Sequence, residues 1–484
     1  MRSQKTLAAG DSQAQVIVVG GGGGGLAAAL TAAEKGGRVV VVEKRRVLGG
    51  NTALAAVMFG AETPFQKRKG LDIPRDLAFK TAMGYSHWRC DPRIVRAFVD
   101  STAQTAAWLE EKGVVFEDIP NYFPNQEPRV FQFVKGKGAA LTKTLAGHCK
   151  SLGVEIMKET LATKILIDRK KGLAGVLAVT KGHERVIPGR SVIIATGGYA
   201  GNKEMMRKYC PAYSDDIILF GMAISKGDGF RMATEAGGAS EGLGLLQIIG
   251  PRFAHSPYVA AVVVEPNTIW LNKRGERFVD ESLAFRWPEA ANALARQPDK
   301  MCFVLFDEKA KRGFVMEGLK RGYMAYPTGT KMTDLDRELK AHLDGGEIKI
   351  SMSLGTVAAW MGIEADALKA SVDEYNGFCQ EGRDALFAKD RKYLAPLSIP
   401  PFYAIKCHQS FHGTVGGIKI NLRMEVLSEK DEPIPGLYAA GSDTGGWQGD
   451  TYCLELSGST LAFAITSGRI AGENALKYVS GARI

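Results

Sequence analysis

Gly20, Gly22 and Gly25 fall between the runs "VIVVG" and "LAAALTAAEKGG", and an acid, Glu43, ends the next run, "RVVVVEK". These residue types at this spacing can hold a nucleotide pyrophosphate. The first glycine allows a tight turn, the second lets a phosphate approach the backbone, and the third lets a helix pack closely on a strand. The pyrophosphate then meets free N–H groups at the positive end of the helix. Glu43 is placed to bond ribose hydroxyls and argues against a phosphate on that ribose. "GGNTALAA", 49–56, follows the acid at once, and further glycine turns come at "ATGGYAGN", 195–202, and "GLYAAGSDTGG", 436–446. One nicotinamide dinucleotide does not ask for three such elements spread along the whole chain. An extended FAD does.

The elements that must position these residues can be read from hydrophobic pattern. "VIVVG", 16–20, and "RVVVVEK", 38–44, are β-branched runs flanking a helix, which makes one βαβ unit. Continuous apolar strands suit a parallel sheet covered on both faces. A mostly helical stretch covers about 75–112, and a strand-rich run ends at "SVIIATGG". From about 251 the character changes: "TIWLNKRGERFVDE" is hairpin-like, and amphipathic helices are expected near 308–320 and 354–380. "IPPFYAIKC", 399–407, returns to strand, and "STLAFAITSGRIAGENALKYV" reads as a closing helix. With 484 residues the chain exceeds one core of ordinary size. The fold class expected is α/β: a Rossmann-like FAD-binding domain in two parts, 14–250 and 393–484, with an α+β domain, 251–392, inserted between them.

Composition narrows the function. Hydrophobic and charged contents of 45% and 24% are ordinary for a globular protein. The formal charge of +10 favours anionic ligands or an acidic redox partner. No basic run with interleaved aromatics points to nucleic acid. The seven cysteines contain no CxxC, so attached c-type haem, iron–sulfur and zinc spacings are missing, and no metal site is expected. Electrons must therefore come from or go to a donor or acceptor outside this chain. The N-terminus lacks the apolar core of a signal peptide, and no stretch approaches the roughly 18 apolar residues of a membrane span. A cytoplasmic enzyme acting on a small molecule is the expectation; the oligomeric state is left open.

The order of GxGxxG, acid, "GGNT", "ATGG", "GDG" and C-terminal "GLYAAG…SGRIAGENA" resembles the fumarate reductase/succinate dehydrogenase flavoprotein family along nearly the whole chain. The resemblance implies a two-part FAD domain with an inserted capping domain. By position, Gly20, Gly22, Gly25 and Glu43 would hold the ADP half, with Lys44, Gly50, Asp228 and Gly441 beside the cofactor. Asn51 and Thr52 would lie along the flavin. Asn51 stands near the place where membrane-bound members carry a flavinylated histidine, so noncovalent FAD is expected. Thr196, Gly197 and Gly198 would flank the cofactor, and Asp443 would bond its ribityl or ribose hydroxyls. Ser459, Thr460 and Leu461 would start a helix whose positive end faces the flavin and favours its anionic reduced form.

The resemblance also supplies substrate-side candidates. His412 in "FHGTVGG" falls on a histidine that contacts substrate oxygen. Arg286, in "NKRGERFVDESLAFRW", matches a proton-donating arginine one residue beyond the usual spacing; the alternative is a salt bridge with Asp280, Glu281 or Glu289. Gly250 takes the place of the "QxHP" histidine, and His255 is the only nearby substitute. Glu455, in "LELSGS", stands where dicarboxylate reductases keep a carboxylate-binding arginine, which argues against fumarate or succinate. Tyr452, in "GDTYCLE", resembles the tyrosine by which ketosteroid dehydrogenases polarise a ketone. The expected activity is hydride transfer between flavin N5 and a carbon–carbon bond next to a carbonyl or carboxyl group. A 3-ketosteroid dehydrogenase and a flavin-binding electron carrier are the alternatives.

Overall fold

The computed structural model describes residues 14–117, 130–168, 172–323, 326–343 and 345–481. The strand Ala14–Val19 lies between Val39–Val42 and His183–Ile194, parallel to both. Val16, Ile17 and Val18 are fully buried, as a run of β-branched residues covered on both faces requires. Glu155–Met157 extends the sheet on one side, and Pro433–Ala439 with Glu425–Leu427 on the other. Pro433–Ala439 comes from the far end of the sequence and pairs parallel with His183–Ile194, so both halves of the chain build one sheet.

Two helices seal this sheet. Gly23–Glu34 is so rich in glycine and alanine that its neighbour can lie against its backbone. The C-terminal helix, Ser459–Ser480, does so: a Cβ on Gly468 would stand 2.1 Å from the Gly24 carbonyl oxygen, and one on Gly472 2.3 Å from that of Ala28. The spacing of four between these glycines puts both on one helix face.

The second sheet is organised around one long strand, Phe402–Thr414. It pairs antiparallel with Leu246–Arg252, Met301–Asp307 and Ile348–Ser351, and parallel with Ile218–Leu219. This sheet takes strands from within 251–392 and from the residues on either side of it. Two apolar clusters flank it, one around Trp270, Phe306 and Phe314 and one around Leu305, Leu368 and Tyr375. Beneath it, Arg277 bonds Glu281 and Asp384 at 2.9 Å each, and Lys389 bonds Glu281 at 2.9 Å. All four side chains are essentially without solvent contact. Arg277 and Glu281 thus belong to a structural network, costly to break by removing one partner.

Candidate active site

The glycine turn meets each demand its spacing sets. Gly20 has φ +109°, and a Cβ there would lie 2.2 Å from the Ala195 carbonyl oxygen. A Cβ on Gly25 would stand 1.9 Å from the Gly20 oxygen, so helix and strand touch backbone to backbone. On Gly22 it would meet nothing nearer than 3.9 Å, because this position faces an open cleft. A side chain at Gly22 would fill the cradle, so the residues present fit a pyrophosphate. Glu43 accepts the Gly21 amide at 2.7 Å and the Arg45 amide at 2.8 Å, which fixes its carboxylate on the cleft wall.

Other expected cofactor residues share this cleft. Gly50, Asn51, Thr52, Thr196, Gly197, Asp228 and Gly441 line it. Lys44 donates to Asp228 and to the Ile224 carbonyl, both at 2.6 Å. Asn51 accepts the Met222 amide at 2.7 Å, and Thr52 accepts the Gly23 amide at 3.2 Å.

Asp443 departs from expectation. Its oxygens accept from the Thr196 amide, the Thr196 hydroxyl at 2.9 Å, and the Gly197 and Gly198 amides at 2.9 and 3.0 Å. The carboxylate is spent on shaping the 196–198 turn, and Gly441 and Ser442 stand on the cleft wall instead. Burial pushes this carboxyl up despite four donors. Ser459 is likewise buried and off the cleft wall, and Thr460 and Leu461 line the neighbouring second cavity and not this cleft.

A second, larger cavity shares Asn51, Thr52, Gly197, Ser442 and Ala464 with the first, so the two adjoin. Its walls are largely apolar and aromatic, with Val57, Phe131, Phe133, Phe220, Ile248 and Trp287 among them. No carboxylate lines it among the described residues.

His412 faces this cavity from the end of Phe402–Thr414 and packs on Phe220, ring centroids 4.9 Å apart. Its Nε2 has no partner. Burial, and then the nearby Arg252 guanidinium, push the imidazole down to about 3, so it is neutral at ordinary pH. Tyr452 also lines the cavity, and its oxygen accepts the Gly458 amide at 2.8 Å and the Ser459 amide beside it. Burial holds the phenol in its protonated form, and the Ser459 side chain and then the two amides moderate the shift.

Three substrate-side expectations are corrected. Arg286 is exposed, where a short turn over Glu281–Phe285 ends, and the next residues, Trp287 and Pro288, form the wall. The extra residue in its segment turns the neighbouring side chain inward in its place. Glu455 is exposed on the single turn Leu454–Leu456. Leu454 and Ser457 point to the cavity, as a period near three residues requires. His255 is exposed and bonds Glu347 at 2.9 Å, away from the cavity.

The residue that sequence reasoning missed is Arg252, at the end of Leu246–Arg252. The sequence signal was an apolar strand, "LQIIGPRF", carrying one arginine. Its side chain is buried on the cavity wall, with its guanidinium carbon 3.4 Å from the Phe220 ring centre.

A βαβ sheet with a glycine cradle, opening into a buried polar-dotted cavity under a second sheet, defines a flavin-type dinucleotide enzyme. Residues 15–460 match the family described as "FAD binding domain". The chain is 32% identical over 446 residues to the vinyl phenol reductase of Lactiplantibacillus plantarum, covering 89% of this chain and 90% of that one. In structure it is similar to the open conformation of a flavocytochrome c3 fumarate reductase, with TM-score 0.77 and 26% identity over 97% of this chain and 79% of that one. It is also similar to the 3-ketosteroid-Δ4-(5α)-dehydrogenase of Rhodococcus jostii, with TM-score 0.76 and 25% identity over 98% and 99%. The chain belongs to the FAD-binding family that holds the fumarate reductase/succinate dehydrogenase flavoproteins, and it is an FAD-dependent oxidoreductase. Among the described residues no helix is long and apolar enough to cross a membrane.

Proposed function

We propose that this enzyme reduces a carbon–carbon double bond conjugated to an electron-withdrawing group on an apolar substrate, with electrons supplied by an external donor. The glycine cradle and the walls of the first cleft would hold FAD noncovalently, and the bound flavin would supply the hydride. The observation that carries the reading is the position of Tyr452, a protonated acid in the cavity contiguous with the cofactor cleft.

His412, neutral and without a partner at Nε2, binds the substrate oxygen on which negative charge develops. Tyr452 protonates the carbon α to that group. The phenolate it leaves is held by the Gly458 and Ser459 amides and the positive end of helix Ser459–Ser480. The apolar walls exclude water and strengthen both interactions.

The test is to reduce the enzyme anaerobically and mix it with enoates, enones and 3-ketosteroids while following the flavin absorbance. Rapid reoxidation by an enone or enoate supports the reading. The structural likeness to a ketosteroid dehydrogenase and the presence of Tyr452 favour one second reading, dehydrogenation of a ketosteroid. Activity confined to steroids would replace the first reading by the second.

A further inference from the structure

Arg252 is a buried cation for which the described residues supply no anion. Its side chain is 6% exposed, and among the described residues it forms no ion pair. Its one side-chain hydrogen bond runs from Nη1 to the Tyr323 hydroxyl, in the second-sheet unit. Nε is enclosed and has no acceptor. Nε and Nη2 form the side edge of the guanidinium, the edge that grips a carboxylate with two parallel hydrogen bonds. Phe220 covers its face, with the guanidinium carbon 3.4 Å from the ring centre. The plane is thereby fixed before any ligand arrives.

An unpaired buried charge is expensive. The expense is sustained where a ligand brings the missing charge. His412 Nε2, the other polar atom without a partner on this wall, faces the same cavity. Lys137 is the other cation of the lining, and it stands exposed at the rim.

We infer that Arg252, oriented by Tyr323 and Phe220, is a specificity-determining anion site, and that it selects a monocarboxylate whose remainder is apolar and of aryl size. Among the described residues the cavity lining holds one buried guanidinium and no second, so one carboxylate is matched and another would be stranded among Phe131, Phe133, Ile248 and Trp287. This deepens the reading above by naming the substrate class and rests on it for turnover, but binding can be tested without turnover.

The experiment titrates oxidised holoenzyme with hydrocinnamate, which has no double bond to reduce, and with its neutral isostere hydrocinnamamide, following the flavin spectrum. Wild type should bind the acid about 100-fold more tightly than the amide, the size expected for a desolvated charge pair. In Arg252→Gln that ratio should collapse towards one, and Arg252→Lys should keep part of it. Flavin content and melting temperature report whether each variant is folded, and the wild-type ratio stands without either variant. Equal binding of acid and amide by wild type overturns the inference, as does a ratio unaltered in Arg252→Gln. A wild-type preference for the acid, combined with no reoxidation of reduced enzyme by cinnamate, upholds the anion site and refutes the proposed reduction.

Discussion

The Tyr452 hydroxyl oxygen lies 2.8 Å from the Gly458 amide, at the point where the chain turns into helix Ser459–Ser480. One residue thereby touches both the substrate cavity and the positive end of a long helix. Tyr452→Phe removes the transferable proton while keeping the ring. It should lower kcat by about 10²–10⁴-fold with KM little changed, the range for loss of a general acid. Rapid-mixing reoxidation of the reduced enzyme reads this directly, and an unchanged rate would make solvent the proton source.

Asp443 shapes the 196–198 turn by gathering four donors from Thr196 to Gly198. Asp443→Asn puts an NH₂ group among those donors. We expect a loss of about 3 kcal/mol in stability, typical of disrupting a buried charged hydrogen-bond set, together with weakened flavin retention. Urea denaturation and the flavin-to-protein absorbance ratio after gel filtration check both. Full flavin retention at wild-type stability would show that the turn is held by other means.

His412 gives a pH signature. Its folded value, about 3, lies below its ordinary 6.5. The unfolded chain therefore binds the extra proton first, and stability falls as pH drops below about 6.5, flattening only near 3. At about pH 5 the loss from this one group is about 2 kcal/mol. Glu265, pushed up to about 7 by burial, acts in the opposite sense and loses stability as pH rises from its ordinary 4.5. The comparison is thus wild type against His412→Gln: the variant should show the shallower acid slope in denaturant midpoints from pH 7 to 5. Parallel slopes would mean that the imidazole is hydrated.

Glu455 lies on the outward side of its turn. Glu455→Arg should leave inhibition by succinate and fumarate within about twofold of wild type, as expected of a surface change. A clear gain in dicarboxylate affinity would place this side chain in the cavity.

What could be read in advance divides along physical lines. The glycine turn, Glu43 and the two-part sheet were legible because backbone geometry dictates residue type there: no other residue tolerates the approach of Gly25 to Gly20. The side-chain directions of Arg286 and Glu455 were not legible. One added residue, or one turn of tighter pitch, rotates a side chain by a third of a circle or more, and composition does not record it. Asp443 was expected to bond the cofactor's hydroxyls, but its partners are the Thr196 hydroxyl and backbone amides, and amides carry no sequence label. Arg252 was missed because a single arginine in an apolar strand looks like an edge charge until its environment shows no acid to meet it.

Arg252 and His412 project from neighbouring strands of the second sheet, where Arg252 aligns with His408, four residues before His412. Tyr452 and the dinucleotide cradle belong to the first sheet and the helices around it. A substrate gripped at its carboxylate by the former and protonated at the adjacent carbon by the latter becomes a rivet through both cores. Occupancy then raises the melting temperature of the whole.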